Sequence, residues 1–339
     1  MKKLLQIVIP TYNRTVQLEE TMNSISTLFH SRAGSAFCVD VFDNSDKEIQ
    51  KINERVIPKF VNYHKNLSNL GYAGNVKLCL NLNDAKYIWL ISDDDILNID
   101  NIINLVDYLE GLADEVCGVS LNYEVPNIYN GEYDLVNCLK QSNIKSSQFD
   151  HVLYSDKIPF DFISGFIVRS SILKRIDILN LTEENLYMQS LIYCAALESR
   201  DLIAFYEYPV IRWKGDNSLR WPILKLFEDR EIIRKLLITR HNVKLNNITL
   251  IRNLLKWALL CKIGFLKSTS IGNDRFILFY KVNKYFNILN FLLSILLILP
   301  NNMAHKCIAI GFSLFGNRNS SYSLLKKYSY NVKNFQSKL

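Results

Sequence analysis

The chain has 339 residues, of which 49% are hydrophobic and 22% charged, and a formal net charge of +7. This composition excludes a largely disordered protein, and the length allows one large domain or two modest ones. The seven Cys are scattered and include no Cys-x-x-Cys pair, which argues against a disulfide framework or a zinc site and indicates thiols kept reduced in the cytoplasm.

The first part of the chain alternates strand and helix patterns. The apolar run at 4–9 is too short for a signal-peptide core, and we interpret it as a strand buried on both faces. The next predicted elements are a helix at 15–29, a strand at 37–42, a helix at 47–56, a strand at 60–64, a helix at 71–82, a strand at 87–92, a helix at 98–109 and a strand at 116–123. This alternation predicts an α/β fold, with a mainly parallel, Rossmann-like sheet and helices on both faces.

The second part of the chain is first irregular and then helical. Beyond a turn-rich segment, the patterns predict a strand at 163–168, a helix at 185–197 and a strand at 202–211. From residue 221 onward, apolar residues recur at helical spacing with Lys and Arg between them. The formal charge is +16 over 220–339 and −9 over 1–219, which predicts two domains with that boundary and an anionic partner for the basic one.

Polar residues follow each of the first four predicted strands, at 10–14, 43–46, 66–75 and 93–95. The carboxyl ends of parallel strands meet at one edge of a sheet, and ligands bind outside that edge. The sequence therefore predicts one ligand site to which all four connections contribute.

Three adjacent carboxylates, Asp93, Asp94 and Asp95, follow the fourth strand. Because they repel one another, a bound divalent cation would relieve the repulsion, and Mg²⁺ and Mn²⁺ favour carboxylate oxygens and substrate phosphates. The alternative is an acidic loop in which one Asp caps the helix that begins near Asn98. The position at the ligand edge favours the metal.

The other connections carry residues suited to a nucleotide. Asp43 can accept a hydrogen bond from a base or ribose, although an Asx turn explains it equally well when it is considered alone. Thr11 and Arg14 can meet a base or a phosphate, and Gly71 and Gly74 allow close backbone approach or a tight turn. No Gly-x-Gly-x-x-Gly follows the first strand and no P-loop motif is present, which argues against a nicotinamide dehydrogenase and a P-loop ATPase.

In order and spacing, these residues resemble the family-2 glycosyltransferases with a GT-A fold, over about residues 4–215. The resemblance implies transfer of a sugar from a nucleotide-sugar donor, with Asp93 and Asp95 holding a Mg²⁺ or Mn²⁺ ion. The residues that match the family's nucleotide-sugar-binding positions are Pro10, Thr11, Tyr12, Arg14, Asp43, Asn69, Gly71, Asn75, Asp93 and Asp94.

The resemblance also implies a carboxylate that takes the proton from the acceptor hydroxyl. Glu183 and Glu184 fall at the corresponding position, with Glu184 slightly preferred, although Glu is also favoured in any first helical turn. A narrower segment at 208–218 is similar to O-antigen transferases of the abequosyltransferase type. It implies that Asp216 and Asn217 line the donor or acceptor pocket, although Gly-Asp-Asn-Ser is also typical of a plain turn.

The basic C-terminal part contains an apolar run of twelve residues at 288–299. A helix that spans a membrane needs about 20 residues, so this run is too short. The surrounding positive charge favours an interfacial helix on an anionic leaflet over a buried core helix. No nucleic-acid-binding motif occurs, and we expect no nucleic-acid partner.

The sequence thus predicts a GT-A catalytic domain at 1–219 and a basic helical, membrane-associating region at 220–339, peripheral on the cytoplasmic face of the inner membrane. The expected acceptor is a polyprenyl-diphosphate-linked saccharide in bacterial O-antigen or capsule (lipopolysaccharide-type) biosynthesis. One alternative is a non-catalytic polysaccharide-assembly protein that retains the fold. The other is a sugar nucleotidyltransferase, which would need a Gly-rich triphosphate loop after the first strand.

Overall fold

The computed structural model describes residues 2–81, 85–126, 133–136, 143–145, 162–173, 188, 189, 192, 196 and 202–213. All of them belong to one compact unit. The four described residues of the predicted helix at 185–197 are helical and buried. The predicted domain boundary at 219 and the basic region at 220–339 lie outside the described residues.

The described part of the chain contains ten strands and five helices. The strands are β1 (Lys3–Thr11), β2 (Phe37–Asp43), β3 (Asn62–Lys65), β4 (Ala85–Leu90), β5 (Ile96–Leu97), β6 (Val116–Pro126), β7 (Tyr133–Val136), β8 (Asn143–Lys145), β9 (Phe166–Arg169) and β10 (Leu202–Arg212). The helices are α1 (Thr15–Phe29), α2 (Lys47–Val56), α3 (Gly71–Leu80), α4 (Ile99–Glu110) and α5 (Ser170–Leu173). None of these helices is long and apolar enough to cross a bilayer.

The strands form one mixed sheet in the order β3-β2-β1-β4-β9-β6-β10-β5, with β7 on β6 and β8 on β10. β3, β2, β1 and β4 are parallel, and β9 runs antiparallel between β4 and β6. β10 is parallel to β6. The carboxyl ends of β1 to β4, β6 and β10 therefore lie at one edge of the sheet, together with the start of β9.

The continuous apolar run of β1 is explained by burial on both faces. Leu5, Ile7 and Ile9 are fully buried in a core that α1 and α4 share, and Val8 on the opposite face is equally buried. Helix α3 packs against β1 and β2. The predicted GT-A-type arrangement, with helices on both faces of a mainly parallel sheet, is confirmed.

Two details of the elements differ from the prediction. The strand expected at 163–168 begins only at Phe166, because 162–165 form a turn in which Gly165 N–H donates to the Phe162 carbonyl at 3.1 Å. Helix α4 is capped by Asn98, whose side chain accepts from Asn101 N–H at 3.3 Å. The alternative in which an Asp of 93–95 caps this helix is therefore wrong.

Candidate functional site

The acidic loop after β4 lies inside the protein. Asp93, Asp94 and Asp95 are 3%, 8% and 3% exposed. Helix α1 holds the loop, because the Thr21 hydroxyl donates to the Asp93 carbonyl at 2.9 Å. Three carboxylates thus stand in a small volume from which most water is excluded, an arrangement that costs free energy unless positive charge or hydrogen-bond donors compensate.

The turn after β1 supplies part of that compensation. Thr11 Oγ1 donates to Asp93 Oδ2 at 2.7 Å, and Arg14 Nη1 lies 2.9 Å from Asp93 Oδ1 and 3.1 Å from Asp94 Oδ2. Ser92 Oγ donates to the other oxygen of Asp94 at 2.5 Å. The structure therefore brings the predicted residues Thr11 and Arg14 together with the predicted acidic loop.

Asp95 is held from the other side of the sheet. Its Oδ2 accepts from Ser164 Oγ at 2.5 Å. Its Oδ1 is buried and has no hydrogen-bond partner among the described residues. A buried carboxylate oxygen without a partner is rare in proteins and calls for a ligand or an ion.

Burial dominates the electrostatics of this cluster. It raises the pKa of Asp93 to about 6, although Arg14 and Thr11 act in the opposite direction. It also raises the pKa of Asp95 well above its usual range, against the hydrogen bond from Ser164 and with the support of the neighbouring carboxylates. Burial lowers the pKa of Arg14, but Asp93 and Asp94 outweigh it, and the net shift is upward.

A divalent cation fits this donor set. All the available donors are carboxylate oxygens, which Mg²⁺ and Mn²⁺ prefer, and Asp95 Oδ1 is an oxygen with an unmet demand. No three His, Cys, Asp or Glu side chains of the described residues are arranged to hold a metal unaided. Substrate phosphates and water commonly complete such a coordination sphere.

Asp43, the predicted base-binding residue, is fully buried at the end of β2. Its Oδ1 accepts from Ser45 N–H at 2.8 Å, which is the Asx-turn contact. Its Oδ2 accepts from Asn53 Nδ2 at 2.7 Å and from the Tyr63 hydroxyl. Asp43 thus fixes the turn between β2 and α2, and its contact with a base stays a prediction.

The predicted residues Asn69, Gly71 and Asn75 lie in an amide network with Asn44 and Asn66, which the sequence reading missed. Asn44 Nδ2 donates to Asn69 Oδ1 at 2.6 Å, and Asn66 Nδ2 donates to Asn44 Oδ1 at 3.1 Å and to Asn75 Oδ1 at 2.9 Å. Gly71 has a φ of 69°, which glycine adopts without strain. The network fastens the segment before α3 to the end of β2.

The turn at 10–14 is tied to the same region. Asn13 adopts a φ of 53°, a region in which Asn is among the better tolerated residues, and its N–H donates to Ser45 Oγ at 2.8 Å. Pro10 is the last but one residue of β1. Tyr12 is 47% exposed and presents an aromatic ring to solvent at this edge of the sheet.

Four predicted site residues, Glu183, Glu184, Asp216 and Asn217, lie outside the described residues. A further residue that the sequence reading missed is Ser164, since its partner Asp95 is 69 residues away and no local pattern marks the contact. The only available hint was its place in a strand pattern that a Ser-Gly pair interrupts.

Comparison with known proteins gives a family match. The family model described as Glycosyl transferase family 2 matches residues 6–177, just over half of the chain. The abequosyltransferase RfbV of Salmonella typhimurium is 31% identical over 115 residues, which are 33% of this chain and 34% of that protein. The chain thus spans about a third of the length of this relative.

Solved structures show the same fold. S. aureus TarS 1-349 in complex with UDP-GlcNAc has a TM-score of 0.56 at 13% identity, over 92% of this chain and 90% of that one. A longer S. aureus TarS structure has a TM-score of 0.51 at 12% identity, over 86% of this chain and 55% of that one. The match to the family model shows that this chain belongs to glycosyl transferase family 2 and is a glycosyltransferase with the GT-A fold.

Proposed function

We propose that the chain transfers a sugar from a nucleotide-sugar donor, with the help of a divalent cation, to a lipid-linked saccharide. The observation that carries the donor site is the buried cluster of Asp93, Asp94 and Asp95 beside Thr11 and Arg14, at the ligand-binding edge of the sheet. The likeness to a transferase solved with UDP-GlcNAc supports the choice of donor class.

In this proposal the cation is held by Asp93 and Asp95. When bound, it neutralises negative charge that develops on the departing nucleoside diphosphate. Arg14 adds a fixed positive charge at the same place, since its guanidinium already lies against Asp93 and Asp94. The matching of charge, rather than covalent chemistry by the protein, lowers the barrier to loss of the diphosphate.

The nucleoside is proposed to bind along the ends of β1, β2 and β3. Pro10, Thr11 and Tyr12 line one side, with the exposed Tyr12 ring available to stack on a base. The segment of Asn69, Gly71 and Asn75 lines the other side, in a shape that the amide network maintains. Asp43 supports this pocket from below or accepts directly from the base.

The acceptor hydroxyl needs a base in a reaction of this kind. We propose Glu184, or its neighbour Glu183, for that role, by resemblance to the family. Asp216 and Asn217 are proposed to line the donor or acceptor pocket. The carboxyl end of β10, which leads into that segment, is held to β6 by the ion pair of Arg212 with Glu124 at 2.8 Å.

The proposed acceptor is a polyprenyl-diphosphate-linked saccharide of O-antigen, lipopolysaccharide or capsule assembly at the cytoplasmic face of the inner membrane. Two observations support it: the partial likeness to an abequosyltransferase and the formal charge of +16 over 220–339. A basic region of this kind attracts both an anionic leaflet and a diphosphate. In this proposal residues 1–219 bind the donor and 220–339 contact the membrane.

A calorimetric screen tests the proposed donor class. Purified protein is titrated with UDP, CDP, GDP and dTDP, each with Mn²⁺ and with EDTA. We expect one nucleotide to bind in the presence of Mn²⁺ and to lose most of its affinity in EDTA. Binding of none of the four would contradict the proposed donor site and favour a non-catalytic protein that retains the fold.

A further inference from the structure

Ser164 lies where the strand that belongs to the second half of the sheet meets the acidic loop. It occupies the turn at 162–165 just before β9, which runs antiparallel between β4 and β6. The start of β9 therefore reaches the edge at which β4 ends. Ser164 is fully buried there, and the following Gly165 is anchored because its carbonyl accepts from Leu121 N–H at 2.9 Å.

The hydrogen bonds of Ser164 determine the direction of its hydroxyl proton. Ser92 N–H donates to Ser164 Oγ at 2.9 Å, so the oxygen is the acceptor in that contact. A serine hydroxyl has one proton to give, and the other near partner of Oγ is Asp95 Oδ2 at 2.5 Å. The proton therefore points to the carboxylate of Asp95. The backbone of Ser164 is held as well, because Trp89 Nε1 donates to its carbonyl at 2.9 Å.

The contact leaves the two oxygens of Asp95 with different tasks. Oδ2 is occupied by Ser164, whereas Oδ1 is buried and without a hydrogen-bond partner among the described residues. A carboxylate held by one oxygen cannot rotate freely about its Cβ–Cγ bond, so the direction of the second oxygen is also determined. Groups that orient a ligand in this manner commonly change metal affinity by about 10- to 100-fold when they are removed.

We propose that Ser164 is a positioning residue that orients Asp95 so that Oδ1 is presented to the divalent cation of the donor complex. The inference rests on the proposed function, because it assumes that Asp95 binds a cation. It assigns a task to the segment before β9: the strand that joins the two halves of the sheet also sets the geometry of a ligand that follows β4. The competing explanation is that Ser164 only satisfies the N–H of Ser92 and stabilises the fold.

The test compares Ser164→Ala with a matched control, Ser170→Ala. Ser170 is also buried and also donates from its hydroxyl, to the Ala85 carbonyl at 2.8 Å, but it lies beyond the opposite end of β9. Both variants lose one buried hydrogen bond, so a purely structural effect lowers the melting temperature of both. Binding of Mn²⁺ alone is followed by the EPR signal of the free ion, and stability is measured separately in EDTA.

We expect Ser164→Ala to weaken Mn²⁺ binding by about 10- to 100-fold and Ser170→Ala to leave it within about twofold of the wild type. If Ser164→Ala does not fold, Ser164→Cys keeps the volume with a weaker donor, and it is expected to weaken binding in the same direction. Wild-type-like Mn²⁺ affinity in a folded Ser164 variant overturns this inference alone. Absence of Mn²⁺ binding by the wild type overturns the cation assignment, and this inference with it.

Discussion

Asp93 makes the stability of the metal-free protein depend on pH in a direction opposite to that of an ordinary surface carboxylate. Burial raises the pKa of its side chain to about 6, from an ordinary value of 3.8. The folded protein therefore binds a proton more tightly than the unfolded chain. The stabilisation from this group is fully present below about pH 4 and is lost as the pH rises through about 6. A difference of about two pKa units corresponds to roughly 3 kcal/mol.

The substitution Asp93→Asn removes this titration and keeps an oxygen that can accept from Thr11 or Arg14. Urea unfolding of both proteins is measured in EDTA, from about pH 4 to about pH 7.5. We expect the free energy of unfolding of the variant, relative to the wild type, to rise by up to roughly 3 kcal/mol over that range. A relative free energy that is flat with pH, or that falls, would refute the account of a carboxylate ionised against its environment.

The control for this experiment is Asp107→Asn. Asp107 is exposed, and its pKa is lowered by the hydrogen bond and charge of Arg32. Its titration therefore lies below the measured range, and the relative stability of this variant should not change with pH between about 4.5 and 7.5. Addition of Mn²⁺ to the wild type should reverse the pH trend, because the cation competes with the proton and stabilises the ionised form.

Three further predictions concern the sheet, the base and the basic region. Gly118→Ala should lower the free energy of unfolding by about 1–3 kcal/mol, because its Cβ would lie 2.4 Å from Phe166 Cζ and 2.8 Å from the Ile167 carbonyl oxygen; thermal unfolding measures this. Glu184→Gln should lower the rate of sugar transfer by about 10²- to 10⁴-fold with unchanged nucleotide affinity, as kinetics and calorimetry would show. Removal of 285–339 should release the protein from anionic vesicles in a sedimentation assay without changing nucleotide binding.

Each of these predictions has a contradicting result. Wild-type stability of Gly118→Ala would mean that β6 and β9 are not in the close contact described. An unchanged transfer rate for Glu184→Gln would move the base to Glu183 or to another carboxylate. Sedimentation of the shortened protein with the vesicles would place the membrane-binding surface elsewhere in the chain.

Much of the architecture could be predicted because it depends on local pattern. The bounds of α1 and α2 agree with the prediction, since apolar spacing marks the buried face of α1 and turn-forming residues precede α2. The start of β9 was wrong because Ser164 is drawn into a contact with Asp95, a tertiary interaction that no strand pattern contains. Strand β5 was missed because it has two residues and exists only through its pairing with β10.

The site divides in the same manner. That Thr11, Arg14 and Asp93 meet follows from a general rule, since the carboxyl ends of parallel strands share an edge. The burial of Asp43 could not be predicted, because its partners Asn53 and Tyr63 come from α2 and β3 and are ordinary residues in their own elements. Such contacts depend on how the elements pack and leave no mark in the local sequence.

The most direct test of the central claim is the affinity of the nucleotide selected in the screen, measured in the presence of Mn²⁺ for the wild type, Asp95→Ala and Asp107→Ala. All three proteins are first shown to be folded. The account predicts that Asp95→Ala loses the Mn²⁺-dependent part of the affinity, whereas Asp107→Ala, an exposed Asp of α4, binds like the wild type. Wild-type affinity of Asp95→Ala with Mn²⁺ would contradict the proposal that the acidic loop after β4 holds the cation of the donor complex.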